Sequence, residues 1–158
     1  MATDGPARAA EGWTRGEAIV VGAGALLVLD LLFAPWHHFA IDVNLKQFGV
    51  ELPSFRLDRH GVQNPQAFFG ISSAVIAVLM VAHVVATKVS AAVPRAEQLH
   101  LVAGAVVLGL IVAKLMANND FLGTGAWLGI ALAAALAYGG FLLSQETTAG
   151  TGPKVPAP

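Results

Sequence analysis

Four long runs of hydrophobic positions dominate the chain and predict four membrane-spanning helices. A hydrocarbon core of about 30 Å needs roughly 20 helical residues to cross. The predicted spans cover residues 18–35, 67–87, 98–117 and 121–143. The links after the second and third spans are short, so successive helices must be antiparallel neighbours. The pattern therefore predicts an all-α membrane protein, a four-helix transmembrane bundle with both termini on one side.

The connection between the first and second spans, residues 36–66, is longer than the others. Within it, residues 39–46 alternate between apolar and small or polar side chains, which is the period-two pattern of a half-buried strand. A second extended stretch covers 50–57, and residues 47–49 can turn the chain between the two. Pro53 suits an edge strand because it donates no ladder hydrogen bond. We therefore expect a small β-hairpin-like loop over the mouth of the bundle.

The hydrophobic pattern stops near both ends of the chain. Residues 1–17 and 145–158 lack an apolar period, which predicts disordered tails around one membrane domain, 18–144. The first apolar run exceeds the about 7–15 residues of a signal-peptide core, so we interpret it as a retained anchor. Arg15 directly precedes this span, and about ten positions without a basic residue follow it. This asymmetry predicts cytoplasmic termini and an outer loop, in the inner (plasma) membrane.

Composition supports a membrane protein and removes several classes of function. Hydrophobic residues make up 56% of the 158 residues and charged residues 12%, whereas a soluble domain carries about 25% charged residues. The formal net charge of -1 offers no positive field for nucleic acid. The chain has no Cys, which excludes disulfides, thiolate nucleophiles and Cys-ligated metals. Any chemistry would rest on His, carboxylates or Lys.

Two ionisable residues lie inside predicted spans, where a charged side chain costs about 2.5–3.5 kcal/mol on insertion scales. Asp30 lies near the loop end of the first span, and Lys114 lies near the same end of the third span. Their matching depth predicts an ion pair. One interpretation is a structural staple between helices. The functional alternative is a proton or cation relay, as in a small transporter or ion-conducting protein.

Two histidines form a second candidate pair near the opposite end of the bundle. His83 in the second span and His100 in the third fall at nearly equal height, because the link between these spans is short. Two facing imidazoles at one depth can ligate a haem iron axially, or they can serve as interfacial side chains. We expect no cofactor, and we keep haem b in a redox membrane subunit as an alternative.

Three more histidines, His37, His38 and His60, lie in the long loop. His37 and His38 are adjacent, so their side chains point in different directions on a helix or a strand. A shared metal ion would therefore need Asp42, Asp58 or His60 as a further ligand. The alternative to this loop metal site is a turn that lies against the membrane interface.

The fourth span repeats small residues at intervals of four positions. These are Gly125, Gly129, Ala133 and Ala137. Helices in lipid associate through close contact at small residues, so this groove predicts helix packing. A seam within the bundle is favoured over a homo-oligomer face, because four short-linked helices can fill the groove among themselves.

Three segments carry a resemblance to known proteins. They read LFAPWHH at 32–38, QNPQA at 63–67 and DFLGTGAWLG at 120–129. In these segments the chain resembles uncharacterised small four-span integral membrane proteins of actinobacteria. The resemblance implies an inner-membrane location and adds no catalytic residue.

The sequence contains no phosphate loop, no HExxH motif and no Ser-His-Asp arrangement, so no catalytic residue is predicted. We therefore favour a non-enzymatic integral membrane protein. Its expected role is that of an accessory or scaffolding subunit in a cell-envelope or respiratory membrane assembly. The expected partners are the lipid bilayer and a larger membrane protein complex, with no nucleic acid.

Overall fold

The computed structural model describes residues 12–41, 55–64, 66–90, 92–94, 96–117 and 122–150. In this part of the chain it contains four helices and one two-stranded antiparallel sheet. The helices are α1 (Arg15–Phe33), α2 (Ala67–Val89), α3 (Glu97–Ala117) and α4 (Thr124–Gly150). The strands β1 (Pro35–Ile41) and β2 (Phe55–His60) lie between α1 and α2 in the sequence. The predicted fold class is confirmed.

All four helices are long and apolar enough to cross a membrane. The shortest, α1, has 19 residues, which at a rise of about 1.5 Å per residue extends about 28 Å. Each helix exposes large apolar side chains, among them Leu26, Leu79, Val102 and Leu128. Lipid can solvate such side chains, so their exposure is the expected outer surface of a membrane bundle.

The four helices form an antiparallel bundle in which α1 and α3 each pack against both α2 and α4. The core contains fully buried aliphatic side chains from several helices, including Leu27, Leu31, Ile111 and Leu136. We call the end of the bundle that carries β1 and β2 the sheet end. The opposite end, where α1 begins and α4 ends, is the terminal end.

At the terminal end, α1 begins at Arg15, earlier than the predicted span, because Thr14 caps it. The Thr14 hydroxyl accepts a hydrogen bond from the Glu17 amide at 3.3 Å, and the Glu17 carboxylate accepts one from the Thr14 amide at 2.8 Å. This reciprocal capping box satisfies two amide groups that the first turn of a helix leaves without partners. Residues 15–17, which the sequence pattern assigned to a disordered tail, are therefore helical.

Contacts from α2 and α4 also fix the start of α1. The Lys88 ammonium lies 2.7 Å from the Glu17 carboxylate, and the Glu146 carboxylate accepts a hydrogen bond from the Gly16 amide at 3.3 Å. The helix that carries Glu146 continues to Gly150, so residues 145–150 are also helical and not part of a tail. The terminal end is thus closed by contacts among three helices.

The predicted hairpin-like loop is present as a two-stranded sheet, and its strands overlap the predicted strands only in part. β1 begins at Pro35, four positions before the predicted first strand, and pairs with β2 so that His38 is opposite Asp58. The register shifts between Pro35 and His37, which leaves Trp36 as an extra residue, as in a β-bulge. The predicted turn and the positions 42–54 lie outside the described residues.

The bulge explains why two consecutive strand residues are both buried. Side chains normally alternate between the two faces of a strand, yet Trp36 is 0% exposed and His37 is 1% exposed. The other side of β1 contacts the chain before α4, where the Gly123 amide donates to the Trp36 carbonyl at 2.8 Å and His37 forms a bridge with Leu122. The start of β1 is thereby held between β2 and the beginning of α4.

Candidate functional site

The buried indole of Trp36 is the centre of a polar cluster at the sheet end. Its Nε1 donates a hydrogen bond of 3.1 Å to Oδ2 of Asp30, near the end of α1. Asp30 is only 5% exposed. A hydrogen bond from an indole N–H to a carboxylate is charge-assisted, and a buried charge of this kind needs such a partner. Asp30 therefore helps to fix the orientation of the ring.

Three glycines from separate parts of the chain leave room for this ring. A Cβ atom would lie 2.9 Å from Cε2 of Trp36 at Gly61, 2.8 Å from Cδ1 at Gly125 and 2.8 Å from Cη2 at Gly129. Real Cβ atoms essentially never come this close, so a side chain at any of these positions would displace the ring or the backbone.

The repeat of small residues on α4 therefore has two uses. Gly125 and Gly129 accept the Trp36 ring, which the sequence had not indicated. Farther along, Ala137 faces α3, because a Cβ at Gly104 would lie 2.8 Å from the Ala137 Cα. Ala133 is fully buried between these two contacts. In the described residues, both parts of the groove contact elements of the same chain.

Lys114 lies on the same cluster from α3 and is 1% exposed. Its ammonium donates a hydrogen bond of 3.1 Å to the carbonyl of Gln66 and lies 5.9 Å from the centroid of the Trp36 ring, within cation–π distance. Gln66 precedes α2 with φ 54° and ψ 43°, a left-handed conformation that costs energy for a residue with a side chain. The lysine thus holds the carbonyl of a strained residue.

Asp30 and Lys114, the predicted ion pair, are brought into one cluster through Trp36. Within the described part of the chain, no nitrogen–oxygen contact of 4.0 Å or less joins the two side chains directly. The matching depth that the sequence indicated is present, while the group between them is an aromatic ring. A direct ion pair between Asp30 and Lys114 therefore stays a prediction.

Two buried oxygens near the sheet end have no hydrogen-bond partner among the described residues. They are Oδ1 of Asp30 and Oγ of Ser73, which is 0% exposed on α2. Buried polar atoms are nearly always satisfied in folded proteins, so exceptions point to a bound water, an ion or a functional role.

His83 and His100 meet at the other end of the α2–α3 pair. Nδ1 of His83 lies 2.9 Å from Nε2 of His100, with ring centroids 4.9 Å apart and ring planes at 50°. One ring must donate and the other accept in this hydrogen bond. Two axial ligands of one metal stand about 4 Å apart, since each metal–nitrogen bond is about 2 Å. The rings would therefore have to separate by about 1 Å to hold a haem iron.

The three loop histidines have different surroundings. Nδ1 of His38 lies 2.7 Å from the Asp58 carboxylate on the exposed face of the sheet, and Nδ1 of His60 lies 3.3 Å from the carbonyl of Ala34. His37 is buried. Among the described residues, no group of three metal-ligating His or carboxylate side chains is present, and Asp42 lies outside them.

Sequence reasoning missed a second cluster of the same composition at the terminal end. Lys88, which pairs with Glu17, also has its ammonium 5.9 Å from the ring centroid of Trp13. Each end of the bundle therefore groups a lysine, a tryptophan and a carboxylate. The available signal was the position of Trp13 and Trp36 just outside the two ends of the first span.

Comparisons of the chain with protein-family models, with curated proteins and with solved structures found no match. The chain's four apolar helices, each long enough to cross a bilayer, indicate a multi-pass integral membrane protein in a lipid environment.

Proposed function

We propose that this protein is a non-enzymatic accessory or scaffolding subunit of a cell-envelope or respiratory membrane assembly. The supporting observation is that the four helices are unequally buried within the bundle. In their spanning stretches, 44% of α1 and 39% of α4 are buried, against 28% of both α2 and α3. The α2–α3 half of the bundle therefore presents the wider apolar face, and we expect a partner's membrane helices to bind there.

The exposed face of α2 is continuous along the helix. Its large apolar side chains recur at helical spacing at Phe68, Ile71, Val75, Val78, Leu79 and Val85. Positions three and four apart lie on one side of a helix, so these side chains form a single stripe. Such a stripe suits close packing against another helix, although lipid can also cover it.

The buried charged groups support a structural role over a catalytic one. Asp30 holds the Trp36 indole, Lys114 holds the Gln66 carbonyl, and Glu17 of α1 pairs with Lys88 of α2. Each of these interactions fixes one part of the fold to another. A scaffold requires this kind of internal bracing, because its partners bind to a rigid surface.

The proposal places the protein in the inner (plasma) membrane, with both termini in the cytoplasm. The terminal side carries five basic residues, and the loop side carries four. The five are Arg8, Arg15, Lys88, Arg95 and Lys154, and the four are Lys46, Arg56, Arg59 and Lys114. The excess is small, and Arg15 decides the orientation because it directly precedes the first span. Basic residues that flank a span are retained on the cytoplasmic side.

A photoreactive amino acid placed on each helix tests the proposed partner face. The test positions are Leu79 on α2 and Val102 on α3, which are 62% and 59% exposed, and the controls are Leu26 on α1 and Leu128 on α4, which are 54% and 52% exposed. We expect crosslinks to one partner protein, in native membranes, from the test positions only. Equal crosslinking from all four positions, or crosslinks to lipid alone, would contradict the proposal.

A redox membrane subunit that holds haem b at His83 and His100 is the second candidate function. The observation in its favour is the 2.9 Å approach of the two imidazoles on adjacent helices. It requires a Soret band in protein purified after expression with ample haem, lost in both His83→Ala and His100→Ala. The scaffold proposal expects colourless protein from the same preparation.

A small transporter or ion-conducting protein using Asp30 and Lys114 is the third candidate, supported by their common contact with Trp36.

A further inference from the structure

We infer that His83 and His100 bind one monovalent copper ion, Cu(I), between their facing ring nitrogens. Nδ1 of His83 lies 2.9 Å from Nε2 of His100. The two residues lie on the adjacent antiparallel helices α2 and α3, near the terminal end of the bundle. The expectation of no cofactor came from the sequence, which does not report how the two rings face each other. The inference goes beyond the scaffold role proposed above and does not rest on it.

The two imidazole rings meet edge to edge and are not stacked. Their centroids are 4.9 Å apart while the facing nitrogens are 2.9 Å apart, so these nitrogens lie between the rings. In the hydrogen bond, the N–H of one ring points at the lone pair of the other. An N–H bond and a lone pair occupy the same position on an imidazole nitrogen. Both nitrogens are therefore aimed at the space between them, as the two ligands of a linear metal site must be.

Only a small displacement separates this hydrogen bond from a metal site. Each metal–nitrogen bond is about 2 Å, so the rings have to move apart by about 1 Å. Packed helices shift by about 1–2 Å in conformational transitions. The pair α2 and α3 has room for such a shift, because only 28% of each spanning stretch is buried. A haem would also have to place its whole macrocycle between the rings, whereas a single ion needs no further space.

Copper would replace the proton that the two rings share. A neutral imidazole carries one N–H, and it binds a metal through the nitrogen that has no proton. When the ion binds, the ring that donated the hydrogen bond moves its proton to its other nitrogen, and no net proton is released. His83 is partly exposed and lies less than two turns before the end of α2, so water can carry this proton.

The ligands select the kind of ion. The pair supplies two neutral nitrogens, and the described residues contain no group of three His, Cys or carboxylate side chains. Zinc sites use at least three protein ligands, and calcium and magnesium require oxygen ligands. Imidazole suits copper, and monovalent copper is stable with two ligands in a line. A single positive charge also costs less to bury than a double charge.

A copper titration of the purified full-length protein in detergent tests the site. Cu(I) is supplied without oxygen, in ascorbate, and in competition with a chromophoric Cu(I) chelator. We expect one copper ion per chain and an unfolding midpoint that rises with the free Cu(I) concentration. Zinc chloride should form no one-to-one complex. X-ray absorption at the copper edge should show two nitrogen ligands in a linear arrangement.

Glutamine variants locate the ion. In His83→Gln or His100→Gln, the amide can still form a hydrogen bond with the remaining imidazole, but it is a poor ligand for Cu(I). Each variant should bind copper more than about 100-fold more weakly, since loss of a mere outer-shell partner costs about 10–100-fold. The control is His38→Gln, which removes an exposed imidazole on the sheet and should bind copper like the wild type.

Three results would overturn the copper site. The first is wild-type protein that leaves all the copper with the chelator. The second is copper binding that persists in both variants of the pair or is lost in His38→Gln. The third is an absorption spectrum of the wild-type complex with ligands other than two nitrogens, which is informative even if a variant fails to fold. Because the purified chain is tested alone, none of these results bears on whether a partner binds at α2 and α3.

Discussion

At the scale of single residues, the Trp36 side chain contacts segments of the described chain that lie far apart in the sequence. Its side chain contacts α1 through Asp30, the turn after β2 through Gly61 and α4 through Gly125 and Gly129. Helices in lipid gain little from hydrophobic association, so close packing and buried hydrogen bonds carry much of their stability. The Trp36 contacts supply both.

The Gly129→Ala variant tests the fit of the indole. The added methyl group would collide with the ring, and overpacking of this kind typically costs about 1–3 kcal/mol. Gly22→Ala is the matched control, because a Cβ at Gly22 of α1 meets nothing within 4 Å. Denaturant unfolding in detergent should show a loss for Gly129→Ala and no loss for the control. Equal unfolding free energies of the two variants would show that the Trp36 ring does not need the space at Gly129.

The Trp36→Phe variant tests the hydrogen bond to Asp30. Phenylalanine keeps an aromatic ring but cannot donate, so Oδ2 of Asp30 would lose its hydrogen bond from the indole. Loss of a partner for a buried polar group costs about 1–3 kcal/mol. Trp127→Phe, at a position that is 64% exposed, should change the unfolding free energy by less than about 0.5 kcal/mol. A Trp36→Phe protein as stable as the control would show that this hydrogen bond contributes nothing to stability.

At the scale of elements, the helices followed from the sequence and the sheet did so only in part. Membrane thickness fixes the length of a span, so local hydrophobicity located the helix boundaries to within three residues, except at the end of α4, which continues seven residues beyond the predicted span. The early start of β1 depends on the Trp36 bulge and on contacts with Gly123, far along the chain. The alternating pattern of apolar and polar residues carries no information about such distant contacts.

The residues of the site also divide into those that a local sequence pattern identifies and those that only contacts between distant segments identify. Asp30, Lys114, His83 and His100 were all selected because each is ionisable or polar inside an apolar run, which is a local property. The short link between α2 and α3 placed the two histidines at nearly equal height, and the structure adds the hydrogen bond between them. The space for the Trp36 ring comes from glycines in separate segments, and no local pattern reports it.

The His83–His100 hydrogen bond should stabilise the α2–α3 pair. His100 is 4% exposed, so His83→Ala deprives a buried imidazole of this partner and should lower the unfolding free energy by about 1–3 kcal/mol. Val85→Ala on the same helix is a lipid-facing control that should lose less than His83→Ala. Equal losses in the two variants would mean that the hydrogen bond contributes nothing.

At the scale of the whole molecule, the four spans and the position of Arg15 predict that both termini lie in the cytoplasm. A reporter active only in the cytoplasm should be active when fused after Pro158, and a reporter active only outside should be active when inserted at Gly49. The reverse pattern would invert the orientation and place the sheet in the cytoplasm. Activity of the same reporter type at both positions would contradict the three crossings that the four spans place between Gly49 and Pro158.

The uneven burial of the bundle also bears on its role in the membrane. α1 and α4 bury more of their spanning surface than α2 and α3 do, and the polar clusters at both ends tie helices together. A bundle braced in this way can present α2 and α3 to a neighbour without rearrangement. The proposed accessory role therefore requires a partner in the membrane.

Affinity purification from native membranes tests whether such a partner exists. The full-length chain is expressed at its natural level with a small tag, solubilised in mild detergent, and the proteins that copurify are quantified by mass spectrometry. We expect one or more membrane proteins to copurify in a fixed ratio to the tagged chain. Recovery of the tagged chain alone, or only with further copies of itself, would contradict the accessory-subunit proposal.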